Sequence, residues 1–224
     1  MTVAAFRPAS KSRLTHYDLD RFAGRTLFDR IGRAVCAAEC LPRKELYEAW
    51  EVARRVRRLF RGGRVVDIAG GHGLLAHLML VLDATSASAV VIDRVLPPSA
   101  TKLHEALARE WPRLAERITF VPSALKDVQL RKNDVVVSVH ACGALTDEIL
   151  ERAVSVRSRV AVLPCCHDLD AQTARELAGW LDGALAVDVA RALHTKAAGY
   201  RVWTQTISPD ITPKNRLLLG APLR

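Results

Sequence analysis

The stretch RVVDIAGGHG, residues 64–73, decides the fold of this chain. It begins with a short run rich in Val and Ile, which is typical of a buried strand. Gly70, Gly71 and Gly73 follow, and they permit a tight turn with close approach of the backbone to a ligand. A helical pattern then starts at Leu74. A strand that passes through a glycine turn into a helix predicts the first unit of an α/β sheet, whose ligands bind at this edge.

Further apolar runs repeat this pattern downstream. Nearly continuous Val, Ile and Leu strands alternate with helix-like stretches, which predicts a parallel sheet covered on both faces. The predicted strands span residues 64–70, 89–93, 118–121, 134–139 and 159–164, and the helices lie near 74–83, 99–111, 144–156 and 170–181. Residues 200–207 and 215–220 are too close in sequence for a crossover helix, so they predict an antiparallel pair at the end of the sheet.

Two kinds of cofactor compete for the glycine turn. The spacing Gly71-x-Gly73-x-x-Ala76 matches a dinucleotide fingerprint, whereas Asp67-x-Ala69-x-Gly71-x-Gly73 matches the acidic glycine loop of enzymes that use S-adenosylmethionine (SAM). A carboxylate beside the loop attracts a cationic sulfonium and repels a pyrophosphate, so SAM is favoured over NAD. A glycine turn that binds nothing is the third interpretation.

Asp93 strengthens the prediction of a nucleotide-containing cofactor. It ends the second predicted strand, 22 residues after Gly71. An acidic residue at about this distance from the turn binds ribose hydroxyls in nucleotide-binding sheets. The glycine turn, the helix and the second acid in this order indicate a nucleotide-binding site more specifically than the glycine turn alone.

The composition is that of one globular domain with reduced cysteines. Half of the 224 residues are hydrophobic, which is enough for one sizeable core. The sequence shows neither a long uncharged apolar run nor a secretory signal, so we expect a cytoplasmic protein that does not enter membranes. The five cysteines are odd in number and irregularly spaced, which does not fit a disulfide framework.

Positive charge is concentrated in residues 1–64. They carry 15 Lys and Arg against 7 Asp and Glu, which is +8 of the formal +9. The asymmetry predicts a polyanionic partner, with RNA ahead of an acidic membrane. A solvated basic surface is the alternative explanation of the same pattern.

The basic segment has helical periodicity over residues 14–61. Its apolar positions recur every three or four residues, and its arginines lie mostly elsewhere on the helix; these are Arg54, Arg55, Arg58 and Arg61. Gly62 and Gly63 then end the helix. We therefore predict a basic helical extension, residues 1–61, packed on a core domain, residues 62–224.

Several motifs, taken together, match those of a known family. They are PRKELYEAWE (42–51), VVDIAGGHG (65–73), VVIDR (90–94), VVVSVHACGALTDEIL (135–150), VAVLPCCHDL (160–169) and TPKNRLLLG (212–220). Together they resemble the class I SAM-dependent methyltransferases of the methyltransferase domain 32 type. This group includes the methyltransferase-like domain of glutathione S-transferase C-terminal domain-containing protein and is similar to the tRNA acceptor-stem 2′-O-methyltransferases. The resemblance spans about residues 42–221.

The resemblance implies SAM as the cofactor and a Rossmann-like, seven-stranded class I sheet with an antiparallel last strand. It assigns cofactor binding to Asp67, Ala69, Gly70, Gly71, Gly73, Asp93, Ser123, Ala124, Leu125 and His140, with Lys44 and Glu45 as weaker candidates. Ala69 replaces the first glycine of the loop, which is tolerable if its φ is negative. The zinc-finger segments that flank the tRNA enzymes are missing from the sequence, so the resemblance implies a donor and a fold without naming the acceptor.

The stretch LPCCHDLD (163–170) has three interpretations. The ends of the fourth and fifth strands are expected to bring together His140, Cys142, Cys165, Cys166 and His167. Two thiolates and two imidazoles would suit zinc, but adjacent cysteines seldom direct both sulfurs to one ion, and the C-x₂₋₄-C spacing is missing. A covalent cysteine nucleophile needs a base within reach.

We favour the third interpretation, in which the paired cysteines are pocket wall and no metal is bound. The catalytic candidates are then Cys165 and Cys166 as the lining and His140 or His167 as the proton acceptor. For either histidine, a structural hydrogen bond is the alternative. Lys214 in the TPKN turn either contacts a phosphate or serves turn formation alone.

The sequence therefore predicts a SAM-dependent methyltransferase that acts on RNA, either tRNA or rRNA. Methyl transfer to a small molecule or a protein is one alternative. The other is a nucleic-acid-binding module whose SAM pocket has lost turnover. The sequence does not predict the oligomeric state.

Overall fold

The computed structural model describes residues 6–169 and 172–223. Seven strands form one sheet: β1 Val65–Ile68, β2 Ala89–Asp93, β3 Ile118–Pro122, β4 Val135–Ser138, β5 Arg159–Val162, β6 Tyr200–Thr206 and β7 Arg216–Pro222. Their order in the sheet is β3-β2-β1-β4-β5-β7-β6. All seven predicted strands are present, and their ends differ from the prediction by at most two residues.

Strand direction confirms the predicted α/β, Rossmann-like sheet. The strands from β3 to β5 pair in parallel, and β7 runs antiparallel to both of its neighbours, β5 and β6. The chain leaves β1 toward β2 on one side and continues with β3, then returns to the other side of β1 with β4. A crevice opens at such a reversal, beyond the carboxyl ends of the strands.

Seven α-helices cover the sheet in the described part of the chain. They are α1 Leu27–Ala38, α2 Arg43–Leu59, α3 Leu74–Leu82, α4 Ala100–Glu110, α5 Ala144–Ser155, α6 Gln172–Glu176 and α7 Gly183–Ala197. Short 3₁₀ helices occur at His16–Phe22, Pro112–Leu114 and Leu125–Asp127. None of the helices in this part of the chain is both long enough and apolar enough to cross a bilayer.

Alternate strand residues pack into two apolar layers. Val65 and Val135 lie in the layer formed with α1 to α4, whereas Val66 and Val136 lie in the layer formed with α5. All four side chains are fully buried. The sheet is therefore covered on both faces, as its continuous apolar strands predict.

The basic N-terminal segment is helical in pieces and shares the core of the sheet. α1 begins after Thr26, whose hydroxyl accepts a hydrogen bond from the Asp29 backbone N–H, and α2 begins after Pro42. The apolar face of α2 packs on α3 in the same layer as β1. Gly62 and Gly63 have positive φ where the chain turns from α2 into β1. The boundary at residues 61 and 62 thus crosses a continuous core, and the division into two domains stays a prediction.

Helix α7 was not predicted from the sequence. One helix was predicted near residues 170–181, of which 170–171 lie outside the described residues, and the structure has the shorter α6 followed by α7. Asp182 starts α7 by accepting a hydrogen bond from the Leu185 backbone N–H at 3.0 Å. An Asp directly before a helical run was the available signal.

Candidate active site

The glycine turn joins β1 to α3 at the carboxyl edge of the sheet. A Cβ on Gly70 or Gly73 would lie 2.8 or 2.7 Å from the Val91 side chain, so both glycines let the turn pack against β2. Gly71 is different, because a Cβ there would meet nothing within 4 Å. Its φ of 51° and the φ of 75° at Gly73 are left-handed, which favours glycine. The turn therefore packs tightly on the sheet and opens toward solvent at Gly71.

Ala69 replaces the first glycine of the loop in a conformation that favours glycine. Its φ is 54°, so the condition under which an alanine is tolerated here without strain, a negative φ, is not met. The backbone bends here so that the next residue, Gly70, donates its N–H to the Ile92 carbonyl oxygen at 3.2 Å. A left-handed non-glycine residue costs about 1–2 kcal/mol. The turn thus carries local strain at a residue that lines both cavities described below.

Asp67 lies beneath the turn and is 1% exposed. Its Oδ2 accepts a hydrogen bond from the Ala76 backbone N–H at 3.0 Å, which ties β1 to the first turn of α3. Burial raises the pKa of the carboxyl group to about 7, against the smaller lowering effect of that hydrogen bond. Asp67 therefore supports the turn and is poised to change its charge near neutral pH.

Asp93 lies where the two halves of the site meet. Its Oδ2 accepts a hydrogen bond from the Gly71 backbone N–H at 3.0 Å, and its carbonyl oxygen accepts one from the Ser123 N–H at 2.9 Å. Through its carboxylate and its main-chain carbonyl, Asp93 links the ends of β1, β2 and β3, and the residue stays partly exposed. It also lines both cavities of the site.

The larger cavity, of about 870 Å³, opens on the side of β2, β3 and α5. The predicted residues Ser123, Ala124 and Leu125 all line it. Five charged residues of its wall were not predicted from the sequence: Arg94, Lys126, Asp147, Glu148 and Glu151. The first two adjoin predicted positions in the sequence. The other three lie on α5, and no sequence signal indicated which face of that helix would meet the cavity.

The smaller cavity, of about 210 Å³, lies between the glycine turn and α2. Four residues predicted to bind the cofactor, Asp67, Gly71, Asp93 and His140, line it, and so does the weaker candidate Glu45. Burial raises the pKa of the Glu45 carboxyl group, and the nearby His140 opposes that rise. Three carboxyl groups therefore surround one small space.

The other weak candidate does not line this space. The Lys44 ammonium lies 2.6 Å from Glu48 Oε1, in an ion pair along α2. Glu48 is 3% exposed, and its Oε2 has no hydrogen-bond partner among the residues that the structure describes. Lys44 therefore neutralises a buried carboxylate of its own helix.

The structure divides the cysteine and histidine cluster predicted from the sequence. Cys142 Sγ lies 2.7 Å from Cys165 Sγ, which is 3.9 Å from Cys166 Sγ. The two adjacent cysteines thus bring their sulfurs close together, although such pairs seldom direct both sulfurs to one ion. None of the three is among the residues lining either cavity, whereas the exposed His140 lines the smaller one.

His167 makes the structural hydrogen bond that the sequence left open as an alternative. Its Nε2 lies 2.7 Å from Asp188 Oδ1, and its side chain is 5% exposed. Asp188, on the unpredicted α7, also accepts a hydrogen bond from Arg216 Nε at 2.6 Å. His167 thereby connects the loop after β5 to α7 and β7, and it does not line either cavity.

The two adjacent thiols differ in acidity. Burial raises the pKa of Cys165 to about 12. The pKa of Cys166 is lowered, because its sulfur interacts with the Cys142 and Cys165 thiols and lies 3.7 Å from the Lys214 ammonium. Cys166 is therefore the thiol of this pair that ionises more readily.

The fold and site together define a methyltransferase domain. Residues 44–172, more than half of the chain, match the model of the methyltransferase domain 32 family, described as a methyltransferase domain. The chain belongs to this family. It is also 24% identical to the glutathione S-transferase C-terminal domain-containing protein of Xenopus laevis, over 72% of this chain and 31% of the relative. The chain thus spans about a third of the length of that relative.

Solved structures show the same fold. An O-methyltransferase family protein from Burkholderia thailandensis is similar with a TM-score of 0.53 and 18% identity, over 95% of this chain and 65% of that one. The ribosomal protein L11 methylase from Lactobacillus delbrueckii subsp. bulgaricus is similar with a TM-score of 0.51 and 13% identity, over 79% of this chain and 77% of that one. At these identities the similarity concerns the fold alone.

Proposed function

We propose that this chain transfers a methyl group from SAM to RNA. One observation supports SAM as the methyl donor. Asp67, the glycine turn and Asp93 meet at the carboxyl edge of the sheet, between two adjoining cavities. The larger cavity lies in the size range of small-molecule sites, about 300–1,000 Å³. Both cavities share Ala69 and Asp93, so one elongated ligand can occupy them together.

The charges of the smaller cavity fit the amino acid end of SAM. The donor carries an ammonium and a sulfonium, and Glu45, Asp67 and Asp93 line that cavity. Opposite charges attract, whereas the pyrophosphate of a dinucleotide would be repelled. The open side of Gly71 leaves room for the ligand against the backbone, and the Asp93 carboxylate suits ribose hydroxyl groups as hydrogen-bond donors.

The donor supplies an electrophilic methyl group, and the residues of the chain bind and orient the reactants. Most of the rate enhancement of such an in-line displacement comes from holding the reacting atoms in position. Two imidazoles, His72 and His140, line the smaller cavity. His72 Nε2 lies 2.9 Å from Ser99 Oγ, whereas His140 is exposed, so His140 is the better placed of the two to accept a proton from a hydroxyl acceptor. His167 is engaged with Asp188 and has a positioning role instead.

Positive charge on α2 supports RNA as the acceptor. Three arginines and one acid of α2 line a surface groove of about 520 Å³ with two residues of β6; they are Arg54, Arg55, Arg58, Glu51, Gln205 and Thr206. Glu51 pairs with Arg54 and Arg55, so the groove keeps a net positive charge. Arg54 and Arg58 are exposed, so their guanidinium groups are accessible to phosphates. The excess of +8 in residues 1–64 adds to this field.

The acceptor is tested by incubating the purified protein with methyl-labelled SAM and total cellular RNA. RNase-treated RNA and an RNA-free protein extract serve as parallel reactions. We expect label in the intact RNA alone. Label in the protein extract would reject RNA as the acceptor, and binding of the donor without transfer to any fraction would identify a binding module.

The donor site is tested by calorimetry with S-adenosylhomocysteine. Asp93→Ala removes the ribose-binding carboxylate, and hydrogen bonds to charged groups contribute about 1.5–3 kcal/mol, so affinity should fall by about tenfold or more. Asp210→Ala, an exposed loop position, is the matched control. Equal affinities of wild type and Asp93→Ala would contradict the cofactor assignment.

A further inference from the structure

Three of the five cysteines form a compact group at the carboxyl ends of β4 and β5. The Sγ atoms of Cys142, Cys165 and Cys166 all lie within 4.8 Å of one another. We infer that these three thiolates hold one Zn²⁺ ion, with its fourth coordination position open. The inference concerns a second site beside the donor cavities, and it holds whether or not the acceptor is RNA.

The sulfur positions fit one face of a coordination tetrahedron. Zn–S bonds of about 2.3 Å at tetrahedral angles place sulfurs about 3.8 Å apart. Cys165 and Cys166 are already 3.9 Å apart. The Cys142–Cys165 distance of 2.7 Å has to open by about 1 Å to reach that value. Cys142 is exposed, so rotation of its side chain can provide this movement.

The backbone holds the two cysteine loops together without a metal. Cys142 and Cys166 form a parallel β-bridge, and the Gly143 N–H donates a hydrogen bond to the Cys166 carbonyl oxygen at 3.3 Å. Gly143 has a left-handed φ of 55° at this point. The thiols are therefore brought together by the chain itself, which reduces the ordering that metal binding would otherwise require.

The atoms that would bind the metal are soft sulfur ligands. Within the described residues the group contains sulfur alone, without a carboxylate or an imidazole. His167 was considered from the sequence as a nitrogen ligand, but its Nε2 is hydrogen-bonded to Asp188 Oδ1. Thiolates select zinc-like ions, whereas Mg²⁺ and Ca²⁺ require oxygen ligands. This set of three thiols differs from the two thiolates and two imidazoles considered from the sequence.

The surrounding charge suits a zinc–thiolate complex. Three thiolates around Zn²⁺ leave one net negative charge. The Lys214 ammonium lies 3.7 Å from Cys166 Sγ, where it offsets that charge and orients the sulfur by donating a hydrogen bond. Groups in this outer position commonly orient metal ligands. This contact gives Lys214 of the TPKN turn a role at the metal site in addition to turn formation.

The site adjoins the donor cavities. Cys142 lies in the sequence between His140, which lines the smaller cavity, and Ala144, which lines the larger one. Three protein ligands and an open position are the pattern of zinc sites that bind a water or an exogenous ligand. A bound ion would also fasten the loop after β4 to the loop after β5.

The experiment begins with protein freed of metal by a chelator in anaerobic, reducing buffer. ZnCl₂ is titrated, and the metal retained after desalting is counted; CoCl₂ replaces zinc for spectroscopy, and MgCl₂ is the hard-cation arm. We expect one zinc per chain, sulfur-to-cobalt charge-transfer bands, and no retained magnesium. Retention of less than a tenth of an equivalent of zinc, or a cobalt spectrum without sulfur bands, would overturn the inference.

Variants assign the ligands. Cys142→Ser, Cys165→Ser and Cys166→Ser should each weaken zinc binding by about tenfold or more. Cys40→Ala, a buried cysteine of the N-terminal core, should retain it. Equal affinity in any of the three serine variants would remove that residue from the site, and equal affinity in all three would reject the site.

A labelling experiment on the wild-type chain tests the same inference without relying on the correct folding of the variants. Iodoacetamide is added with and without one equivalent of ZnCl₂, and modified cysteines are identified by mass spectrometry. Protection of Cys142, Cys165 and Cys166 is expected, with labelling of the buried Cys36 and Cys40 unchanged. Labelling of the first three at the same rate with and without zinc would contradict the inference.

Discussion

At the residue scale, Ala69 shows that the glycine turn adopts its shape at a cost in stability. Its left-handed φ of 54° is a conformation that glycine adopts readily and alanine does not. We expect Ala69→Gly to raise the free energy of unfolding by about 0.5–1 kcal/mol in urea titrations. Ala124→Gly is the matched control, because Ala124 has a φ of −76° and should lose stability. A loss of stability in both variants would show that strain at Ala69 is negligible.

Asp67 should make stability depend on pH. Burial raises its pKa to about 7 in the folded protein, compared with 3.8 for an ordinary aspartate. The folded state therefore binds the proton more tightly, and its stability falls as pH rises from about 4 to about 7. Asp67→Asn keeps an oxygen for the Ala76 N–H and removes the charge. We expect the free energy of unfolding of this variant to rise relative to wild type between about pH 5 and pH 8.

Urea unfolding of both proteins at the two pH values checks this prediction. Comparison with the variant cancels the titration of every other group, as long as those groups keep their environments. A constant difference in stability between Asp67→Asn and wild type across the range would contradict it.

At the element scale, a buried arginine anchors α2. The helical pattern of the sequence does not distinguish this arginine from its exposed neighbours. Arg57 is 2% exposed and donates hydrogen bonds to the Met79 carbonyl oxygen, the Phe60 carbonyl oxygen and Ser86 Oγ. It also pairs with the buried Asp83 carboxylate at 3.2 Å. One positive charge of α2 is therefore buried in the connection between α2 and the end of α3.

Loss of this anchor should destabilise the fold. Breaking a buried ion pair leaves an uncompensated charge and costs about 3–5 kcal/mol, so Arg57→Met should lower the free energy of unfolding by that amount. Arg58→Met, one residue further and exposed, should change it by less than about 0.5 kcal/mol. Calorimetric or urea unfolding distinguishes the two. Similar effects in both variants would reject Arg57 as an anchor.

The elements were largely predictable, and the exceptions have physical causes. Strand β1 and the glycine turn were found because their composition and spacing are local properties. Helix α7 was missed although Asp182 signals its start, and with it Asp188, the residue that engages His167. A role for His167 could not be assigned correctly from its neighbours in sequence, because its partner lies 21 residues away on that helix.

At the scale of the whole molecule, the distribution of charge leads to a prediction about RNA binding. Arg54→Glu combined with Arg58→Glu reverses the exposed charge of the groove on α2. Each lost phosphate contact lowers the salt dependence of binding, so we expect weaker RNA binding and a slope of log K against log salt that is smaller by about 1–2. Fluorescence anisotropy at several salt concentrations measures both quantities.

Arg109→Glu on α4 is the control for that experiment, since Arg109 is also exposed and lies outside the groove. Per substitution it changes the net charge equally. The same loss of affinity for each reversed charge at either position would indicate a non-specific basic surface and contradict a binding groove on α2.

The sequence by itself determined the α/β sheet, the position of the glycine turn and the place of Asp67 and Asp93 near the ends of their strands. These follow from periodicity, glycine spacing and strand ends, which are properties of short segments. The sequence also placed Cys142, Cys165 and Cys166 in one neighbourhood with His140 and His167. Tertiary structure alone decided that the three sulfurs lie within 4.8 Å of one another while His167 turns to Asp188. The reason is that such contacts depend on the register of neighbouring strands and on side-chain direction, which residues distant in sequence settle only when the sheet assembles.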